Sequence, residues 1–187
     1  LKNPLAAVLA SLELALDRTA GDQRLERLLR TSMASARGLA GMIDDALLVY
    51  RTGETPPSCR PEDVAAVLAQ PFEEAVWMAA ARQVVLSIDV AAPLPPVSLD
   101  AGRYRRAAAN ILSNALKFSR RGGDVMVRVG IEADDGRDWL VLSVADSGPG
   151  VPEDKQETIF TPFFTRKPAG MGMGLAICRS IITAHGG

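Results

Sequence analysis

A chain of 187 residues, 48% hydrophobic and 23% charged, is long enough to bury a core without disulfide or metal staples and fits one to two domains. Its 21 basic and 22 acidic residues leave a net charge of -1, so composition gives no reason to expect a nucleic-acid partner. No apolar run approaches the roughly 18 residues that a membrane span needs, and no charged-then-apolar leader is present, so a cytoplasmic fragment without membrane contact is expected, with any membrane sensor lying outside it.

The first element is an amphipathic helix, because Leu1, Leu5, Val8 or Leu9, Leu12 and Leu16 recur at intervals of three or four up to about Asp17. A polar break at Thr19 to Asp22 turns the chain. Leu25, Leu29, Ser32, Ala36, Leu39, Ile43, Ala46 and Tyr50 then keep the 3.5-residue period of a helix packed along a seam. Two helices and a short turn make an antiparallel hairpin over residues 1–52. Such a hairpin cannot cover its own seam, so pairing with a second copy into a four-helix bundle is expected; a solitary two-helix appendage is the alternative.

Two prolines in a polar stretch mark residues 53–60 as a linker. Beyond it, a second domain over residues 61–187 is expected. Its elements are a helix from Glu62 to Ala81, a strand from Val84 to Val90, a short strand from Val97 to Leu99 and a helix from Ala101 to Phe118. Two alternating strands follow, Asp124 to Glu132 and Trp139 to Ala145, joined by a turn over Ala133 to Asp138. The expected fold class is α+β: a helical hairpin, then helices on one face of a mixed sheet. Cys59 and Cys178 lie far apart in different kinds of segment and read as ordinary thiols.

Three segments carry chemistry. In Asn110-Ile-Leu-Ser-Asn114-Ala-Leu-Lys117-Phe118-Ser119, two carboxamides four apart share one helical face with a cation one turn on. A neutral amide oxygen suits Mg²⁺ whose remaining ligands are phosphate and water, and the lysine neutralises phosphate. Such asparagines also serve as solvated or capping residues. Asp146-Ser-Gly148-Pro-Gly150 follows the apolar run from Trp139, so a carboxylate sits at a strand end with glycines that admit a flat ligand to the backbone; the same residues are common turn chemistry. Gly170-Met-Gly172-Met-Gly174 opens a helix and leaves N–H groups uncovered where the helix dipole favours phosphate. Its Gly-x-Gly-x-Gly spacing near the chain end does not match a dinucleotide fingerprint.

In order, these segments resemble the asparagine box and the first and second glycine boxes of the ATP-binding domain of sensor histidine kinases, in the superfamily of gyrase-type, Hsp90-type and mismatch-repair ATPases. Ile159-Phe-Thr-Pro-Phe-Phe164 resembles the phenylalanine box between them, and Leu1-Lys-Asn-Pro-Leu5 resembles the end of the motif that holds the phosphoacceptor histidine. The resemblance implies a Bergerat-type nucleotide fold, ATP and Mg²⁺ as cofactors, a homodimer formed through the hairpin, and a response-regulator receiver domain as partner. It implies that γ-phosphoryl passes from Mg-ATP to a histidine and then to a regulator aspartate. A non-catalytic ATP-binding scaffold is the alternative.

Residue by residue, the resemblance assigns Asn114 to the metal, Asn110 and Lys117 to catalysis, and Asp146 to the adenine amine. Phe118, Gly148 and Gly150 are placed near the base, while Lys167, Gly170, Gly172 and Gly174 are placed at the phosphates. Phe160, Phe163 and Phe164 are expected to anchor a lid between Gly150 and Gly170. Asn110 stands where the hydrolytic relatives carry a glutamate, which disfavours hydrolysis. Asn3 matches a position that orients water in kinases that also act as phosphatases, and Pro4 marks a hinge beside it. The His-Glu pair preceding Leu1 and the strands following Gly187 in the family pattern are absent, so trimmed ends and no self-phosphorylation by this fragment are expected. Arg106 replaces a common glutamine without an interpretable consequence, and His185 has the place of a structural histidine.

Overall fold

The computed structural model describes residues 2–19, 22–52, 55–165 and 172–187. The chain divides into two compact units, Leu1–Leu48 and Val49–Gly187.

The first unit is helical. Helix α1 spans Lys2–Asp17 and helix α2 spans Gln23–Thr52, running on past the end of the unit. The break between them is set chemically: the Asp22 carboxylate accepts from the backbone N–H groups of Arg24 (3.0 Å) and Leu25 (3.1 Å), which caps α2. Among the described side chains of α2, Met33 and Ala36 are buried while Leu25, Leu28 and Leu39 are exposed.

The second unit starts with strand β1 (Arg60–Glu62), an element the sequence did not announce, since Glu62 was expected to open a helix. Asp63 ends it, because its carboxylate accepts from Ala65 N (2.9 Å) and so starts helix α3 (Val64–Arg82) one residue further on. Strand β2 covers Val85–Val90, strand β3 Val97–Leu99 and helix α4 Ala101–Phe118. Strands β4 (Asp124–Asp134) and β5 (Arg137–Asp146) are longer than expected. Their turn is only Asp135-Gly136, both with positive φ (47° and 75°), the backbone that a tight two-residue hairpin requires. The Asp-Gly pair therefore decides the turn, and its flanking polar residues belong to the strands. Helix α5 (Gly174–Ala184) closes the unit.

Strands β2 and β4 pair in parallel and β4 and β5 antiparallel, giving a mixed sheet in the order β2-β4-β5. Strands β1 and β3 form a separate antiparallel pair. Val125, Val127 and Val129 of β4 are buried and the intervening Asp124, Met126 and Arg128 exposed, so the helices cover one face of this sheet. Under that cover, Leu112 and Leu116 of α4 meet Val125 and Val127, and Leu68 of α3 lies in the adjoining cluster with Val129.

Pro71 lies within α3 and removes the N–H that would bond the carbonyl of Val67. The Arg105 side chain of α4 donates to that carbonyl (3.5 Å), so the break in one helix is met by its neighbour. No helix among the described residues is long and apolar enough to cross a membrane.

Candidate functional site

Helix α4 is the backbone of the site. Its capping Asp100 accepts from Arg103 N (3.1 Å), and its buried Ala108, Leu112, Ala115 and Leu116 fix its rotation against the sheet and α3. That rotation leaves Asn110 and Asn114 half-buried, Lys117 exposed and Phe118 44% exposed, all along the opposite side. From Asn110 to Phe118 this face runs about 12 Å along the helix.

One end of that face meets the start of α5. Asn110 donates from Nδ2 to the carbonyl of Gly174 (3.4 Å). A side chain on Gly174 would begin 3.6 Å from Asn114 Nδ2 and 3.7 Å from Asn110 Cγ, so both carboxamides lie against the first residue of α5. Met173, which precedes the helix, supplies no side-chain cap, and its buried side chain holds the entry in place. Among the described residues no side chain caps the first N–H groups of α5, at the end where the helix dipole attracts anions. Just before, Gly172 has φ of 64°, and any Cβ there would collide with the backbone carbonyl of Phe164. The two chain segments flanking residues 166–171 therefore touch at Phe164 and Gly172.

The other end meets the loop after β5. Gly148 lies against the end of α4: a Cβ on it would fall 3.0 Å from the carbonyl oxygen of Phe118. Its N–H donates to Asp146 Oδ1 (2.8 Å), which fixes the carboxylate at the strand end. Ser147 Oγ accepts from Asp124 N (2.9 Å) and ties the loop back to β4. Gly150 takes φ of 67°, a conformation that favours glycine.

The asparagines with Gly174, and Phe118 with Asp146 and Gly148, are thereby joined by one helix. Lys167 and Gly170 lie outside the described residues, and Asn3 and Pro4 lie in α1 with side chains outside them. The phenylalanines divide. Phe160 is half-buried with the Arg179 guanidinium 5.7 Å from its ring centre, and Phe164 is half-buried, while Phe163 is 71% exposed with φ of 68°. Among the described residues no group of three His, Cys, Asp or Glu side chains has metal-ligand geometry.

Two groups, Cys178 of α5 and Tyr104 of α4, differ from their free state. Burial pushes the Cys178 thiol up to about 11, with its Sγ 3.4 Å from the Ala107 carbonyl, and burial pushes the Tyr104 hydroxyl up to about 12. At the head of α4, sequence reasoning missed a cluster of Asp100, Arg103 and His185. Backbone Asp100 N–H donates to His185 Nε2 (3.0 Å), while Nδ1 of the same ring lies 2.8 Å from the Ile181 carbonyl. An N–H can only donate and a carbonyl only accept, so the ring is held with its proton on Nδ1. The available signal was Asp-x-x-Arg at a strand-to-helix junction.

Residues 99–187 match the family described as histidine kinase-, DNA gyrase B-, and HSP90-like ATPase. The adaptive-response sensory kinase SasA of Prochlorococcus marinus (strain MIT 9313) is 37% identical over 119 residues, covering 61% of this chain and 31% of that protein. The chain thus spans about a third of that curated relative. Among solved structures, full-length ShkA in complex with AMPPNP superposes with a TM-score of 0.82 at 31% identity, covering 98% of this chain and 39% of that one. The mycobacterial sensor histidine kinase MprB gives a TM-score of 0.56 at 32% identity, covering 68% of this chain and 80% of that one. The chain belongs to the sensor histidine kinases and carries, over residues 99–187, their histidine kinase-, DNA gyrase B-, and HSP90-like ATPase domain.

Proposed function

We propose that the second unit binds ATP along the exposed face of α4 and presents its γ-phosphoryl group to a histidine, from which it passes to an aspartate of a response regulator. The observation that carries this reading is the convergence of Asn110 and Asn114 on Gly174, at the N-terminus of a helix without a side-chain cap. Polyphosphate placed there meets backbone N–H groups on one side and carboxamides on the other. Eight residues along α4, Phe118 and the Asp146 loop receive the base, whose exocyclic amine donates to the carboxylate. A guanine carbonyl at that place would face the same carboxylate oxygen and be rejected, so ATP is preferred over GTP.

Mg²⁺ fits this arrangement in one way. A lone Asn114 oxygen is a hard neutral ligand, and no acidic cluster among the described residues would hold the ion by itself. Asn114 would hold the ion together with the nucleotide, and the ion would supply charge neutralisation. Lys117 lies one turn on and neutralises phosphate charge. Asn110 has no basicity with which to activate water, so transfer to imidazole is favoured over hydrolysis. The nucleophile would be the histidine of a His-Glu pair preceding Leu1, in a hairpin of α1 and α2 that dimerises. Asn3 is the residue through which the same hairpin would orient water for dephosphorylation of the regulator.

The test is incubation with γ-labelled ATP of a protein extended upstream to include the acceptor. An acid-labile, base-stable label on protein is expected. ATP binding without such a label would favour a nucleotide-binding scaffold instead.

A further inference from the structure

Helix α4 needs only one oxygen to cap its start, and Asp100 provides two with different tasks. Oδ1 accepts from Arg103 N, the ordinary cap. Oδ2 accepts from Ser58 N (3.0 Å), a residue 42 positions earlier in the chain. The Arg103 guanidinium lies 3.5 Å from that same Oδ2 and donates from Nη2 to the Thr55 carbonyl (3.0 Å). Residues 55–58 are therefore held at both ends by two side chains of the α4 head. Two residues further on, Arg60 pairs with Leu99, the residue just before Asp100, so the clasp extends the β1 to β3 ladder. From behind, His185 takes the Asp100 N–H and joins the end of α5 to the same point.

Stability alone does not account for this arrangement. The side chains of Asp100 and Arg103 are only 20% and 15% exposed, and Arg103 Nη1 is buried without a hydrogen-bond partner among the described residues. An apolar pair of similar volume would serve a core at least as well, since desolvating charges offsets most of their attraction. What the ionic arrangement adds is a single geometry, because a carboxylate and a forked guanidinium fix directions that apolar contacts leave open.

We propose that Asp100 and Arg103 are positioning residues for phosphoryl transfer: they fix where the chain segment joining the helical unit leaves the ATP-binding unit, and refer that point to α4, the helix of Asn110 and Asn114. The proposal rests on the kinase reading above. Both stand at the head of α4, Arg103 seven residues and so about 10 Å before Asn110, so their removal slows transfer without weakening ATP binding.

The experiment compares full-length protein with Asp100→Ser and Arg103→Met. Serine retains a cap oxygen for Arg103 N but is too short to hold Ser58, and methionine retains the stem of Arg103 without its donors. Expected are a loss of hydrogen-exchange protection at the Ser58 amide of at least tenfold in Asp100→Ser, ATP affinity within twofold of wild type in both variants, and phosphohistidine formation at saturating ATP slowed at least fivefold in both. Should Asp100→Ser misfold, Arg103→Met carries the same expectation for affinity and rate. Transfer at the wild-type rate in a folded variant would overturn the proposal, and so would ATP affinity falling in step with the rate. A wild-type protein with a protected Ser58 amide and bound ATP but no phosphohistidine would overturn the kinase reading, and the positioning role with it.

Discussion

The Asn110 side chain donates to the carbonyl of Gly174 across 64 residues of sequence, and so fastens the middle of α4 to the first residue of α5. A carboxamide is well suited to this place because one end donates to the carbonyl while the other remains an acceptor. Asn110→Asp replaces the donor by a carboxylate facing a carbonyl oxygen. A loss of about 1–3 kcal/mol is expected, read as a lowered midpoint in thermal unfolding of the second unit. An unchanged midpoint would mean that the contact carries no weight in the free protein.

Gly172 and Gly148 both stand where an added methyl has a definite structural consequence at the site. Gly172→Ala meets both a left-handed backbone and the Phe164 carbonyl, so the Phe164 segment or the start of α5 must move. ATP affinity is expected to fall at least tenfold, measured by calorimetric titration. In Gly148→Ala the new methyl lies against Asp146 Oδ1 and the Phe118 carbonyl, which displaces the carboxylate and weakens ATP binding by a similar factor.

Much of this was legible from residue order, and the limits were local. Helix α4 was readable from end to end because an apolar face, a capping Asp100 and the Phe118-Ser119 exit agree with one another. Strand β1 was not, because Arg60-Pro-Glu62 has no strand character of its own and is held by pairing with β3 and by the clasp at Asp100. The hairpin turn is shorter than its polar run suggests, because the residues flanking Asp135-Gly136 are polar too and yet belong to the strands. Pro71 inside α3 became intelligible only beside Arg105, since periodicity cannot reveal that a second helix donates to the orphaned carbonyl. At the site, side-chain types and their order were visible; that Gly172 meets Phe164 was not, as it depends on close approach of backbone.

Acidification tests the head of α4. Burial alone raises the Asp100 carboxyl, but the N–H groups of Arg103 and Ser58 and the Arg103 guanidinium outweigh it and hold the group below its ordinary 3.8. A depressed native value means that the stabilisation is complete above pH 3.8 and is lost as pH falls through the lower native value. Denaturant midpoints of wild type and Asp100→Ser should therefore converge in that acidic range and differ at neutral pH. A constant difference would show that the carboxylate does not act through its charge.

Alkali acts on the other side of the same helix. Native Cys178 and Tyr104 are held neutral by burial up to about 11 and about 12, whereas in the unfolded chain they ionise near 9.0 and 10.0. Raised native values mean that stability falls as pH climbs past the unfolded ones. Cys178→Ala should remove part of the loss between pH 9.0 and about 11. In the native protein at pH 8, a thiol reagent should modify the exposed Cys59 and spare Cys178.

The account depends most on one nucleotide lying along α4 with its base at Asp146 and its phosphates at Asn114. Calorimetric titration of wild type, Asp146→Asn and Asn114→Ala with ATP, each with and without Mg²⁺, tests this directly. Wild type should bind more tightly with Mg²⁺. Asp146→Asn should lose about tenfold or more in affinity with its Mg²⁺ dependence intact, and Asn114→Ala should lose mainly the gain that Mg²⁺ provides. Variants that bind Mg-ATP as well as wild type does would contradict the account.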